Sequence, residues 1–201
     1  MTTVPDFDRL YAGDPDPWQV ATSWYERRKI DIVLACLRRR RYRLAWDAGC
    51  GTGELAAALT TRCDHVVATD ASPAATALAG ARLADTGAHV QTSALPSRPA
   101  LDAPDLIVLS EVLYYLDHDD RAATYDLIDA VAASDADLVL VHWMPRADDA
   151  HTSGVAAFNE ASAALNARGW GRLITHTDAE FLVGLFSTDI PDDVGGREEE
   201  A

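Results

Sequence analysis

The stretch AWDAGCGTGEL, residues 45–55, decides the fold of this chain. An apolar run ends at Asp47, glycine follows at three alternate positions, and an alanine-rich run begins at Glu54. The three glycines are Gly49, Gly51 and Gly53. Because glycine has no Cβ, it tolerates a left-handed backbone and the close approach of another group. The pattern therefore predicts a strand, a sharp turn whose backbone meets a ligand, and a helix.

Short apolar runs alternate with helical ones along the rest of the chain. Strands are predicted at 65–70, 89–92, 105–110 and 137–143, and helices from 54, from 73, at 121–133 and at 155–168. This alternation is typical of an α/β protein with a parallel sheet covered on both faces. The runs at 170–177 and 180–187 are too close together for a parallel crossover, so they predict an antiparallel hairpin.

The length of 201 residues and the apolar content of 48% fit one domain. Residues 1–20 are rich in Asp, Pro and Gly and lack periodicity, so we expect a loop or arm there, acting as a lid. Residues 21–190 form the expected domain, whose first helix opens with a capping box of Ser23 and Glu26. The charged segment 191–201 is expected to be disordered.

Charge and composition exclude several classes of partner. The net charge of −15 leaves little basic surface for nucleic acid. The apolar runs are too short for a membrane span and the N-terminus lacks the features of a signal peptide, so we expect a cytoplasmic protein without a membrane partner. The three cysteines match no metal-ligand spacing, so no metal is expected. The basic run at 38–43 is assigned a structural role near a helix C-terminus. The sequence does not define an oligomeric state.

The spacing of the glycines separates two classes of cofactor. A dinucleotide site has the pattern G-x-G-x-x-G, and here Glu54 stands at the position of its last glycine. A pyrophosphate would also meet that carboxylate at the helix N-terminus. The dinucleotide interpretation is therefore disfavoured. Asp70, at the end of the second predicted strand, could accept both ribose hydroxyls of a nucleoside cofactor of either class.

The pattern formed by Asp47 and the three glycines resembles the cofactor loop of class I methyltransferases that use S-adenosylmethionine. Two further stretches, DPWQVATSWYERRK at 16–29 and DLIVLSEVLYYL at 105–116, resemble the NodS family of nodulation N-methyltransferases. The resemblance covers roughly residues 10–145. It implies a Rossmann-like, seven-stranded, mostly parallel sheet with a C-terminal antiparallel hairpin, and it implies S-adenosylmethionine as cofactor with S-adenosylhomocysteine as product. The implied acceptor is an amine, in the nodulation enzymes the free amine of a deacetylated glucosamine unit on a chitooligosaccharide.

The same resemblance assigns roles in cofactor binding. Asp47 is expected near the cationic methionine end, Tyr25 and Arg28 at the methionine carboxylate, and Trp18 and Trp24 over the ligands. Many class I methyltransferases place an aspartate at the adenine amine, whereas this chain has Ala94, which leaves the backbone N–H of Leu95 as the adenine contact. The complete set of expected cofactor-binding residues is Tyr25, Arg28, Asp47, Gly49, Gly51, Gly53, Asp70, Ala94, Leu95, Ser110 and Glu111.

The expected chemistry is displacement at an activated methyl group, in which the protein mainly supplies alignment. An amine acceptor must lose a proton, which calls for an acceptor nearby. Glu111 and His142 follow or end predicted strands at the ligand-binding edge and are candidate catalytic residues together with Tyr115. A structural ion pair is the alternative for Glu111, and a structural hydrogen bond the alternative for His142. O-methylation of a small acceptor and a non-catalytic cofactor-binding module remain open as other functions.

Overall fold

The structure is a computed structural model that describes residues 5–189. Its helices are α1 (Phe7–Gly13), α2 (Trp24–Cys36), α3 (Glu54–Leu59), α4 (Pro73–Leu83), α5 (His118–Val131) and α6 (Gly154–Ala167), with a 3₁₀ helix at Leu113–Tyr115. Its strands are β1 (Tyr42–Ala48), β2 (Cys63–Asp70), β3 (His89–Thr92), β4 (Leu106–Ser110), β5 (Asp137–Trp143), β6 (Gly171–Thr177) and β7 (Phe181–Ser187). The segment 191–201, expected to be disordered, lies outside the described residues.

The seven strands form one sheet in the order β3-β2-β1-β4-β5-β7-β6. Strands β1 to β5 are parallel, and β7 is antiparallel to both β5 and β6. The predicted α/β class and the predicted C-terminal hairpin are confirmed. The strand order reverses between β1 and β4, and a crevice at the carboxyl ends of the strands beside such a point is the usual ligand site of an open α/β sheet.

Apolar layers cover both faces of the sheet. Strand β4 is buried from Leu106 to Leu109, and β5 is buried along nearly its whole length. Trp46 is fully buried on one face, where its indole nitrogen donates to the Thr69 hydroxyl at 3.0 Å. Burial on both faces explains why these strands are continuous apolar runs rather than alternating ones.

The basic run at 38–43 fastens the chain at the end of the sheet opposite to the glycine loop. Arg38 donates to both carboxylate oxygens of Asp137, at 2.9 and 3.1 Å, and the Tyr42 hydroxyl donates to the same carboxylate at 2.6 Å. Asp137 is fully buried at the start of β5. The run therefore has the structural role predicted for it, but its partner at this point is a buried carboxylate rather than a helix dipole.

Residues 7–13 form helix α1, where the sequence predicted a loop. Asp6 caps this helix by accepting the N–H of Arg9 at 3.1 Å. The Asp8 carboxylate then accepts the Ser72 hydroxyl at 3.0 Å and the N–H of Ala74 at 2.8 Å, which seats α1 on the N-terminus of α4. A helix of seven residues leaves only a short pattern in the sequence, and this one is held in place by a tertiary contact.

Helix α2 begins after Ser23 as predicted, but the capping box does not form. The Ser23 side chain makes no capping hydrogen bond, and the Glu26 carboxylate pairs with Lys29 instead. An ion pair one turn later in the same helix has therefore replaced the capping role of Glu26. Within residues 5–189, no helix is both long enough and apolar enough to cross a membrane.

Candidate active site

The loop from Gly49 to Gly53 joins the end of β1 to the start of α3. The three glycines have φ values of +82°, +52° and +86°, all in the left-handed region. A Cβ on Gly49 would lie 2.9 Å from the Cβ of Val112, and one on Gly51 would lie 2.8 Å from the hydroxyl oxygen of Tyr11. The loop thus exposes bare backbone where side chains would not fit, as the sequence pattern predicted.

A cavity of about 750 Å³ lies against this loop at the carboxyl ends of the strands. That volume is typical of a site for small molecules. The predicted residues that line the cavity are Tyr25, Asp47, Gly49, Gly51, Asp70, Ala94, Leu95, Ser110, Glu111 and Tyr115. Gly53 lies outside the lining, where its Cα faces Ala79 of α4, so its glycine serves the packing of two helices.

Asp47 is a buried carboxylate without a partner in the cavity wall. Its side chain is 1% exposed, and neither oxygen accepts a hydrogen bond within the described part of the chain. Burial, and then the charge of Asp70, raise its pKa to about 7, and the nearby Ala56 N–H, which does not meet hydrogen-bond geometry, opposes only part of the rise. An unpaired buried carboxylate is costly, and a cationic ligand would remove that cost. This observation fits the cationic methionine end of S-adenosylmethionine.

Asp70 ends β2 on the other side of the glycine loop. Its carboxylate accepts the N–H of Gly51 at 2.9 Å and the N–H of Ser72 at 2.9 Å. Burial raises its pKa, and these backbone donors only partly offset the increase. Because each carboxylate oxygen can accept more than one hydrogen bond, the group retains acceptor capacity for a ribose diol.

Glu111 directly follows β4 and has a left-handed backbone, with φ of +57°. One oxygen accepts Lys29 Nζ at 2.7 Å, and the other accepts the N–H of Trp143 at 2.7 Å and the Tyr114 hydroxyl at 3.0 Å. The structural ion pair that the sequence left open is therefore present. It lies in the cavity wall, where a ligand contact was also expected.

His142 is not part of the cavity wall, contrary to expectation. Its side chain is fully buried, and its ring centroid lies 5.9 Å from that of Tyr114 and 6.3 Å from that of Phe158. Burial lowers its pKa to about 4. The prediction of a base failed because both faces of β5 are buried, so the sequence could not indicate which face each side chain occupies.

Arg28 and Trp24 also lie outside the cavity. Arg28 pairs with Asp178 at 2.6 Å, between α2 and the turn that joins β6 to β7. Trp24 is 74% exposed. The cavity face of α2 instead carries Tyr25, whose hydroxyl is buried without a hydrogen bond within residues 5–189, and Lys29 one turn later. Their spacing of four residues was the available signal for Lys29.

Two parts of the cavity wall were not predicted from the sequence: helix α1, and the residues at and after the end of β5. Phe7 and Tyr11 of α1 line it together with the predicted Trp18. The Phe7 ring lies edge-on to Tyr115 at 4.9 Å, and Tyr11 lies edge-on to Trp18 at 5.6 Å. The spacing of four between the two aromatics of α1 was a helical signal. The end of β5 adds Trp143, and the loop after it adds Arg146, Ala147 and Asp148.

Tyr115 lines the cavity as predicted, beside Phe7 of α1. Burial, followed by the charges of nearby carboxylates, raises its pKa to about 12. Its hydroxyl therefore stays protonated at neutral pH and can donate a hydrogen bond to a ligand. A catalytic contact of Tyr115 with the acceptor stays a prediction.

Comparison with known proteins identifies the family. The model for Nodulation protein S (NodS) matches residues 8–174. A solved structure from Pseudomonas syringae, described as a candidate methyltransferase, is 38% identical, with a TM-score of 0.70 over 82% of this chain and 99% of that one. No curated protein sequence matches the chain significantly.

More distant structures share the fold. The N-methyltransferase NodS from Bradyrhizobium japonicum WM9, in complex with S-adenosylhomocysteine, is 20% identical, with a TM-score of 0.77 over 93% of this chain and 98% of that one. An O-methyltransferase family protein from Burkholderia thailandensis is 12% identical, with a TM-score of 0.72 over 89% of this chain and 61% of that one. The fold therefore serves acceptors of different chemistry, and it does not by itself choose among them.

The buried Asp47 carboxylate predicts a pH-dependent affinity for the cofactor product. Its pKa is raised to about 7 in the free protein, and a bound ammonium would lower that pKa by favouring the charged form. The affinity for S-adenosylhomocysteine should thus rise with pH and fall by up to about tenfold per unit below pH 7. Calorimetric titrations from pH 5.5 to 8 measure this slope.

Asp47→Asn should bind more weakly and lose the slope, because it has no carboxylate to titrate. Asp64→Asn, which changes a half-exposed carboxylate at the start of β2, serves as the control and should retain the wild-type profile. An affinity of the wild-type protein that does not vary with pH would contradict the role of Asp47.

Proposed function

We propose that this chain methylates the amine of an amino sugar, a chitooligosaccharide-like molecule or a related small acceptor. The basis is that the chain belongs to the NodS family and is an S-adenosylmethionine-dependent methyltransferase. Its cofactor is S-adenosylmethionine and the cofactor product is S-adenosylhomocysteine. A cytoplasmic location and the absence of a nucleic-acid partner stay predictions from the sequence.

The charge of the cavity wall carries this proposal. Among the residues that line the cavity, the cations are Lys29 and Arg146. The carboxylates that line it are Asp16, Glu26, Asp47, Glu54, Asp70, Glu111 and Asp148. Transfer of a methyl group to an amine moves positive charge from sulfur to nitrogen, and carboxylates around that nitrogen stabilise the charge as it develops. A hydroxyl acceptor would instead develop negative charge on its oxygen as it loses its proton, and these carboxylates would repel that charge.

The chain's own residues would bind and orient the reactants. Bound S-adenosylmethionine supplies an activated methyl group. Asp47 would hold the methionine ammonium, Tyr25 the methionine carboxylate, and Asp70 the ribose hydroxyls. The backbone N–H of Leu95 would contact adenine. These contacts would direct the methyl group toward the acceptor side of the cavity, because alignment is the main contribution that the protein makes to the rate.

The proposed acceptor side comprises Glu111 directly after β4, Tyr115 of the 3₁₀ helix, Trp143 at the end of β5, and Arg146 to Asp148 of the loop that follows. The acceptor amine would supply its lone pair to the activated methyl group, and its nitrogen would take on the positive charge that leaves the sulfur. Glu111 is the proposed contact of that nitrogen. We assign no step to His142, because its ring is fully buried and does not line the cavity.

We further propose that the arm formed by residues 1–20 includes a lid, followed by the methyltransferase domain at 21–190. Phe7, Tyr11 and Trp18 cover the cavity from this arm. Asp8 is its latch, because it binds the N-terminus of α4 through the Ser72 hydroxyl and the Ala74 N–H. A lid that excludes water would favour transfer to the amine over side reactions.

Asp8→Ala should loosen this lid. Hydrogen exchange of residues 7–20 in the presence of S-adenosylhomocysteine should become faster, and the product should dissociate faster, because α1 has lost both bonds to α4. Asp31→Ala, which removes an exposed carboxylate from α2, is the control and should behave as wild type. Exchange in Asp8→Ala that matches wild type would contradict the latch.

Product analysis tests the proposed function itself. Incubation with S-adenosylmethionine and a panel of amines, amino sugars and chitosan oligomers should yield methyl groups on nitrogen, located by mass spectrometry. The rate should rise with pH through the pKa of the acceptor ammonium, since only the neutral amine has a free lone pair. Glu111→Gln should lower turnover more than it lowers affinity for S-adenosylhomocysteine. Methyl groups found on oxygen, with every amine untouched, would replace the proposal with O-methylation.

A further inference from the structure

Lys29 lies in the cavity wall between two carboxylates that come from different elements. Its Nζ is 2.7 Å from Glu111, which follows β4, and 2.9 Å from Glu26, one turn earlier on α2. The lysine side chain is 8% exposed. All three residues line the cavity, so they form one charged cluster on the acceptor side.

This cluster holds its lysine as a cation. Burial alone lowers the pKa of Lys29, but the charges of Glu111 and Glu26 raise it further than burial lowers it. The amine therefore cannot serve as a proton acceptor at neutral pH. Two carboxylates around one ammonium leave a net charge of about −1 on the wall.

The groups that contact the cluster most closely are neutral. Tyr25 presents its ring to Lys29 Nζ at 5.3 Å, and Tyr114 donates its hydroxyl to Glu111. Burial raises the pKa of both tyrosines. His142, behind Glu111 on β5, has a pKa lowered to about 4 by burial. Glu180 of the β6–β7 turn is the further charged group near Tyr25.

We propose that Lys29 is a positioning residue for the acceptor: it holds the Glu26 and Glu111 carboxylates side by side, and the acceptor nitrogen binds against them as a cation and gives up its proton to one of them before it attacks. This inference rests on the proposed amine acceptor. Lys29 acts through the carboxylates and need not touch the acceptor. The ion pair also joins α2 to the end of β4, so the same contact shapes the wall and sets its charge.

Without the ammonium, two neighbouring carboxylates repel each other, and one takes up a proton at a higher pH than usual. Lys29→Met should therefore raise the KM of the amine acceptor about tenfold at pH 7, the equivalent of one charge-assisted hydrogen bond. Its KM should recover as the pH rises, since both carboxylates then ionise. The value of kcat should change by less than about threefold, because the methyl donor is bound as before.

Lys29→Arg should restore the acceptor KM and its pH profile, because arginine keeps the charge. Glu26→Gln, which keeps the lysine and removes one carboxylate, should raise the KM without the pH-dependent recovery. Arg27→Met removes an exposed cation from the same helix and is the matched control. Calorimetry with S-adenosylhomocysteine confirms that each variant is folded and measures its affinity for the cofactor product.

The experiment measures acceptor KM, kcat and cofactor-product affinity for these variants at pH 6, 7 and 8. A raised KM in Lys29→Met, with unchanged product affinity and rescue by Lys29→Arg, supports the inference. A wild-type KM and pH profile in Lys29→Met would overturn it, as would a parallel loss of product affinity, which would assign Lys29 to the cofactor. Failure of the proposed function is separate, because it appears as methylation on oxygen in the wild-type protein.

Discussion

The backbone of the loop between β1 and α3 is the constraint on which the site depends. Three left-handed residues in five leave no room for side chains and turn the N–H of Gly51 toward the Asp70 carboxylate. That hydrogen bond joins the loop after β1 to the end of β2, so the conformation of the loop and the position of Asp70, the proposed ribose contact, depend on each other. The same turn leaves Asp47 facing the cavity without a partner.

Carboxylates also attach the N-terminal helices to the rest of the domain. Asp8 binds α1 to the N-terminus of α4, and Glu111 binds α2 to the end of β4 through Lys29. At the opposite end of the sheet, the Asp137 carboxylate pairs with Arg38 and accepts a hydrogen bond from the Tyr42 hydroxyl. The acidic composition is therefore not only a solubilising surface. Several acids hold elements together, and others line the cavity wall.

The sheet and the glycine loop could be predicted because their signals are local. A buried parallel strand needs a continuous apolar run, and a left-handed turn needs glycine, so β4, β5 and the loop were visible in the sequence. The sequence did not show which face of a strand or helix each side chain occupies. His142 was wrongly expected at the cavity because β5 is buried on both faces. Arg28 was wrongly expected there because Tyr25 and Lys29 occupy the cavity face of α2. Helix α1 was missed because its stability comes from contacts with residues more than sixty positions away.

Calorimetric titration with S-adenosylhomocysteine, for the wild type and Gly51→Val, tests most directly whether the loop is the cofactor site. A valine at φ of +52° is strained and would press on the Tyr11 hydroxyl, which lies 2.8 Å from the position of its Cβ. Gly80→Ala, in α4 with open space around it, is the control. We expect the wild type and Gly80→Ala to bind S-adenosylhomocysteine, and a folded Gly51→Val not to bind it. Equal binding by all three proteins, or binding of NAD in place of S-adenosylhomocysteine, would contradict it.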